Sequence, residues 1–170
     1  AARDRVCPAE SPICWEQLRP VGSGGFPAEP GSNDRPLWEP GRIPVTLFPV
    51  VAFGGELWMV SQTHSYSSAD GLAWTQHDKV DWGERIGQSF AFFRGRLWML
   101  AGLDYRTKRP LNDRWSSADG VRWRPEGAAA WPERTGAALA VFNGRLWLLG
   151  GTGEVNARFE AVRTWNDVWS

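Results

Sequence analysis

Phe142-Asn143-Gly144-Arg145-Leu146-Trp147 reads as the end of one apolar run, a two-residue turn signal and the start of a second apolar run, and the chain contains it three times. The other copies are FGGELW from Phe53 to Trp58 and FRGRLW from Phe93 to Trp98. A second phrase follows the first two, SSADGLAW from Ser67 to Trp74 and SSADGVRW from Ser116 to Trp123. Three landmark pairs, Trp74 with Trp123, Glu84-Arg85 with Glu133-Arg134, and Trp98 with Trp147, are each 49 residues apart. Trp58 and Trp98 are 40 apart, because the stretch between Val60 and Ser67 is shorter than its counterparts, Ala101 to Leu111 and Gly151 to Trp165. Length changes in one loop between constant flanks mark a repeat array.

Each copy resolves into four short strands. In the third, Gly136 to Phe142 is a small, apolar run suited to a strand buried on both faces, and Asn143-Gly144 signals a type I′ hairpin. Arg145 to Gly150 is the second strand and Asn166 to Trp169 the third. In the second copy Asn112 to Ser117 is the equivalent third strand, which turns at Ala118-Asp119-Gly120 into a fourth, Val121 to Pro125. Trp115 and Trp123 flank that turn and are expected to pair across the strands and hold register. Burying one Trp removes about 150 to 250 Å² from water, an upper bound of roughly 4 to 6 kcal/mol. The copies occupy about 42–80, 85–127 and 134–170. A four-stranded unit of this size that cannot cover its own faces is a β-propeller blade.

Pro132-Glu133-Arg134-Thr135-Gly136, the apolar strand, Asn143-Gly144-Arg145-Leu146-Trp147, the Gly150-Gly151 pair and Asn166-Asp167-Val168-Trp169, in that order, resemble a kelch repeat. The resemblance covers roughly residues 42 to 170. The double glycine is replaced by Val60-Ser61 in the first copy and Ala101-Gly102 in the second, and Trp stands where Tyr is more usual after the leucine. The resemblance implies an all-β, kelch-type β-propeller with three four-stranded blades in this chain, half of a six-bladed ring. It also implies a structural role for the recurring arginine, holding a neighbouring strand or loop.

The ends bear on closure. Trp15-Glu16-Gln17-Leu18 overlays Trp74-Thr75-Gln76-His77, the start of a fourth strand, whereas Trp169-Ser170 follows a third strand. Residues 1–41 are thus expected to be a Pro- and Gly-rich leader with one strand near Trp15 that completes a last blade. Three blades are too few for a ring, since propellers have about four to eight. The expectation is a head-to-tail homodimer in which each chain lends its first strand to the other's last blade. The alternative is that further blades belong to a longer chain.

With equal numbers of acidic and basic residues the formal net charge is zero, which argues against a nucleic-acid partner. No run of 18 apolar residues exists, so no helical membrane span is expected. An Ala-Ala start without Met and one cysteine pair fit a mature secreted or periplasmic protein. Cys7 and Cys14 are expected to form a disulfide that pins the leader strand, with two free thiols as the alternative.

Propeller geometry gathers the second-to-third-strand loops and the blade-to-blade loops on one face. The candidate ligand-binding residues there are Arg42, His64, Trp82, Arg85, Tyr105, Arg106, Trp131, Arg134 and Arg158. A ring of Trp and Arg stacks on sugars and binds carboxylates bidentately; the competing role for the same residues is structural. Asp70-Gly71 and Asp119-Gly120 read as turn residues. Glu84 and Glu133 recur with the repeat without marking a catalytic pair. His64 and His77, placed in different loops, have no third ligand at a recognisable spacing, so no metal and no cofactor is expected.

Among kelch-type propellers, galactose-oxidase-like enzymes need a tyrosine–cysteine cofactor with two histidine ligands. Tyr66 and Tyr105 are the only tyrosines and both cysteines are in the leader, which disfavours that chemistry. The functional expectation is an exported, non-catalytic recognition module that binds a protein or glycan on the long-loop face. The alternative is a small carbohydrate-modifying enzyme of the sialic acid mutarotase kind.

Overall fold

The computed structural model describes residues 3–6, 15–18 and 49–170, and among them the chain is all-β, with seventeen strands and no helix. β1 (Arg3–Val6) and β2 (Trp15–Leu18) pair antiparallel, Val6 opposite Trp15. The leader therefore has two strands where the sequence showed one, and among the described strands β2 pairs with β1 alone. The Cys7–Cys14 bond lies outside the described residues, as does Arg42.

The first repeat forms an antiparallel sheet in the order β3 (Val50–Phe53), β4 (Glu56–Val60), β5 (His64–Ser68), β6 (Thr75–Lys79). After the short β7 (Arg85–Ile86), the second repeat contributes β8 (Ser89–Phe93), β9 (Arg96–Leu100), β10 (Leu103–Asp104), β11 (Asp113–Ser117) and β12 (Arg124–Ala128). Here β8, β9, β11 and β12 make a second four-stranded sheet, while β7 pairs with β10 at its edge. The third repeat contains β13 (Ala138–Phe142), β14 (Arg145–Leu149), β15 (Thr152–Val155), β16 (Ala161–Thr164) and β17 (Val168–Trp169). Its sheet, β13-β14-β17, has three strands among the described residues rather than four, and β15-β16 is a hairpin within the long loop.

The three phrases that reveal the repeat are the three inner hairpins. A type I′ turn needs positive φ at both central residues, and the pairs are Gly54 (62°) with Gly55 (84°), Arg94 (50°) with Gly95 (76°), and Asn143 (49°) with Gly144 (68°). The Ala101-Gly102 departure from a double glycine keeps the same backbone: Ala101 has φ 62° where Gly150 has 60°.

The fourth strand of the second sheet begins three residues later than the sequence pattern placed it, at Arg124 rather than Val121. Side chains cause the shift. Asp119 Oδ1 accepts from the backbone N–H groups of Val121 (3.0 Å) and Arg122 (2.8 Å), and Ser117 Oγ accepts from that of Gly120 (2.8 Å). These bonds stabilise a wide turn in place of a tight hairpin. Asp70 and Ser68 build the same turn in the first sheet. Trp123 thereby leaves the ladder, and Trp115 lies opposite Pro125 instead. Both indoles converge on Trp82, with ring centroids 5.8 Å away for Trp115 and 4.8 Å for Trp123.

The sheets pack face to face in series, with β8 lying against both β3 and β13. Trp58, Val60, Trp82, Phe90, Met99 and Trp123 fill the space between the first and second sheets. A smaller cluster of Leu100, Ala101, Trp131, Ala137 and Leu148 joins the second to the third.

Candidate functional site

The recurring Arg in the loops that precede the second and third sheets is drawn into the protein. Arg85 and Arg134 are 3% and 0% exposed. Arg134 donates from Nη1 and Nη2 to the two carboxylate oxygens of Asp167 at 2.6 and 2.8 Å, from Nη1 to Gly150 O at 2.7 Å and from Nε to Pro132 O at 3.2 Å. Arg85 repeats this on Asp113 at 2.7 and 2.8 Å and on Ala101 O at 3.0 Å, and adds Trp82 O at 3.2 Å. Each aspartate also accepts from a strand indole at 2.7 Å, Trp115 Nε1 on Asp113 and Trp169 Nε1 on Asp167. An Arg–Asp–Trp unit thus ties the entry of each of these repeats to its own third strand. Bidentate pairs of this kind are strong and geometrically demanding.

The first repeat departs from the pattern. His64 begins β5 where Asp113 begins β11, and its Nδ1 lies 3.0 Å from Thr63 Oγ1. His77 stacks on Trp58 with ring centroids 5.0 Å apart, and its Nε2 lies 2.9 Å from Ser67 Oγ. The two histidines stand on the paired strands β5 and β6 and line one open cleft with Gln76, Asp78 and Lys79, so the reading that put them in different loops is corrected.

Electrostatics follow the pairing. The Arg134 hydrogen bond, helped by that of Trp169, holds Asp167 well below the ordinary carboxylate range against the upward push of burial. Burial is the largest influence on Asp113 and pushes it up, but the hydrogen bonds from Arg85 and Trp115 and the Arg85 charge together bring it below its usual value. Carboxylates depressed in the folded state stabilise it fully above the unfolded pKa, about 3.9, and that contribution drains away as pH falls through the folded value. The urea midpoint is therefore expected to change little from pH 7 to pH 5 and to fall below about pH 4. Asp167→Asn is expected to flatten that fall, and an acid limb identical to wild type would remove Asp167 as its source.

Trp82 and Trp131 are buried in the two clusters between sheets, so their rings are core rather than open stacking platforms. Arg134 also lies over Trp131 and Trp165, its guanidinium carbon 5.9 and 5.7 Å from the ring centroids.

Exposed chemistry gathers instead where the long loops of the second and third repeats meet. Tyr105 stacks on Phe159 at 5.6 Å and 21°, and Lys108 Nζ lies 4.6 Å from the Phe159 centroid while donating to Ala157 O at 2.6 Å. Asp104 and Asn156 shape the two loops by accepting backbone N–H groups, Arg106 and Thr107 on one, Arg158 and Glu160 on the other. Arg106 and Arg158 are exposed at this rim.

Phe159 also lines a cavity of about 600 Å³ at the seam of the second and third sheets, with Ile86, Gln88, Thr135, Leu139 and Val155. Both amide atoms of Gln88 are buried without a hydrogen-bond partner among the described residues. Of the candidates, Tyr105, Arg106 and Arg158 come together here, His64 lies in the other cleft, and Trp82, Arg85, Trp131 and Arg134 are interior.

Four residues were not among the candidate ligand-binding residues: Asp113, Asp167, Gln88 and Phe159. The aspartates carried a signal in the recurring Asn-Asp-x-Trp at Asn112 and Asn166, which repeats wherever Glu-Arg does. Gln88 carried none, and Phe159 carried only its place in the third copy's long loop, between Gly151 and Trp165. No protein-family model and no curated protein matches the chain.

Proposed function

We propose that the three sheets are kelch-type propeller blades and that the chain is an exported, non-catalytic recognition module. It binds a protein or glycan ligand at the long-loop end of the seam between the second and third blades. The cavity supports this reading most directly: its volume suits a sugar unit or a short peptide segment. The Gln88 carboxamide on its lining carries a donor and an acceptor that need partners. Tyr105, Phe159 and Lys108 form an aromatic and cationic rim. The strongest charged groups of the repeats, Arg85 with Asp113 and Arg134 with Asp167, are engaged with each other, which favours scaffolding over chemistry for them. Within the proposal a glycan suits the cavity better than a flat protein surface does, because the opening is concave and aromatic-edged.

A panel of neutral and sialylated glycans followed by thermal shift tests this. One glycan class is expected to raise Tm by a few degrees, and Phe159→Ala is expected to abolish the shift while leaving the unliganded Tm within about 2 °C, as an exposed side chain should. No shift across the panel, or a shift that survives Phe159→Ala, would count against the site.

A further inference from the structure

The chain makes one kind of sheet-to-sheet interface twice and leaves both halves of a third uncovered. In the first interface Val51, Phe53, Trp58 and Val60 of the first sheet face Phe90, Leu97 and Met99 of the second. In the next, Trp98 and Leu100 of the second sheet face Leu139, Leu146 and Leu148 of the third. Every sheet thus has a forward face and a rear face, and the forward face of one covers the rear face of the next.

Among the described residues the forward face of the third sheet has no such cover. Leu149, at the position of Leu100, is 38% exposed where Leu100 is 4%, and Phe142 on the same face is 63% exposed. The inner part of the first sheet's rear face is equally open: Val50 and Leu57 are 51% and 38% exposed, where their counterparts Phe90 and Leu97 are 8% and 2%. The outer part of that rear face is covered, with Met59 at 6% and Tyr66 at 4%. Uncovered apolar sheet faces of this kind mark association sites.

We infer that the two open faces cover each other between two copies of this chain. The third sheet of each copy packs on the inner rear face of the other's first sheet, giving a two-fold pair of six sheets with every forward face matched. This rests on reading the sheets as blades, and six lies within the range at which blades close a ring. The occupant is argued from continuity: the contact required is the one the chain already makes twice, and the complementary face is on the same chain. A two-fold axis then generates the contact at both ends.

Mass measurement by sedimentation or light scattering on the full chain tests this. The expected particle is about 38 kDa, twice the 19.0 kDa of one chain. Phe142→Glu with Leu149→Glu, and separately Val50→Glu with Leu57→Glu, are each expected to give 19.0 kDa particles. An equimolar mixture of the two variants is expected to regain the larger mass, because a mixed pair keeps one interface free of substitutions. A wild-type monomer overturns the inference, and so does a dimer that survives the Val50 and Leu57 changes, since that pairing would join two third sheets face to face. Glycan-induced thermal shift on the wild type separates the two readings: the cavity lies within one chain, so a monomeric wild type that still binds a glycan sinks the assembly alone, and a dimer without a shift sinks the binding site alone.

Discussion

Arg134→Ala is expected to lower the unfolding free energy by about 3 kcal/mol, the low end of the cost of removing one partner from a buried, hydrogen-bonded ion pair, because the Asp167 side chain left behind is 32% exposed. The guanidinium is fully buried, and it neutralises Asp167 while binding Gly150 O and Pro132 O, so its loss leaves a carboxylate and two carbonyls with fewer donors. Those groups join the loop before the third sheet to the end of β14 and the start of β17. A change of this size is a large fraction of the roughly 5 to 15 kcal/mol that holds a domain together. Arg134→Met combined with Asp167→Asn should recover most of the loss, since the asparagine still accepts from Trp169 Nε1 and no unpaired charge remains. Urea titrations of wild type, both single variants and the double variant make the comparison. Equal losses in Arg134→Ala and the double variant would mean that the lost guanidinium hydrogen bonds to Gly150 O and Pro132 O, not the unpaired Asp167 charge, account for the effect. Arg85→Ala should cost less, because Arg85 Nε is buried without a partner where Arg134 Nε has one.

The fold was legible because its signals are local. A type I′ turn is specified by two residues, and the constant offset between copies showed which segments were equivalent. The Arg–Asp units were not legible in the same way. Arg85 and Asp113 are 28 residues apart and Arg134 and Asp167 are 33, because the loop of variable length lies between them, so no fixed spacing links the partners. Trp82 and Trp131 show a second limit. An indole before an arginine serves equally as a stacking platform or as core, and which it becomes depends on a neighbouring sheet that the local sequence does not name. Phe159 inverts the case: its ring meets Tyr105 only because two loops of different repeats reach the same seam.

Gly120→Ala is expected to cost about 2 to 5 kcal/mol, whereas the same change at Gly71, its counterpart in the first copy, should cost about 1 to 2. Both glycines have positive φ, 77° and 75°, so each substitution carries the left-handed strain of an L residue. Their surroundings differ. A Cβ on Gly71 would sit 3.4 Å from Leu57 Cδ1, an ordinary contact. A Cβ on Gly120 would overlap three adjacent carbons of the Trp58 ring, the farthest of them only 2.6 Å away. Trp58 cannot easily retreat, because it is buried, tilted against Phe53 and stacked on His77. The clash therefore passes from the turn of the second sheet into the forward face of the first, and the strain it adds is that of an overpacked core. Paired urea titrations of the two variants isolate this effect, because backbone strain is common to both and cancels in the difference. If the two losses agree within about 0.5 kcal/mol, the ordinary scatter of surface changes, Trp58 does not press on Gly120, and the packing of the first sheet against the second differs from the one described.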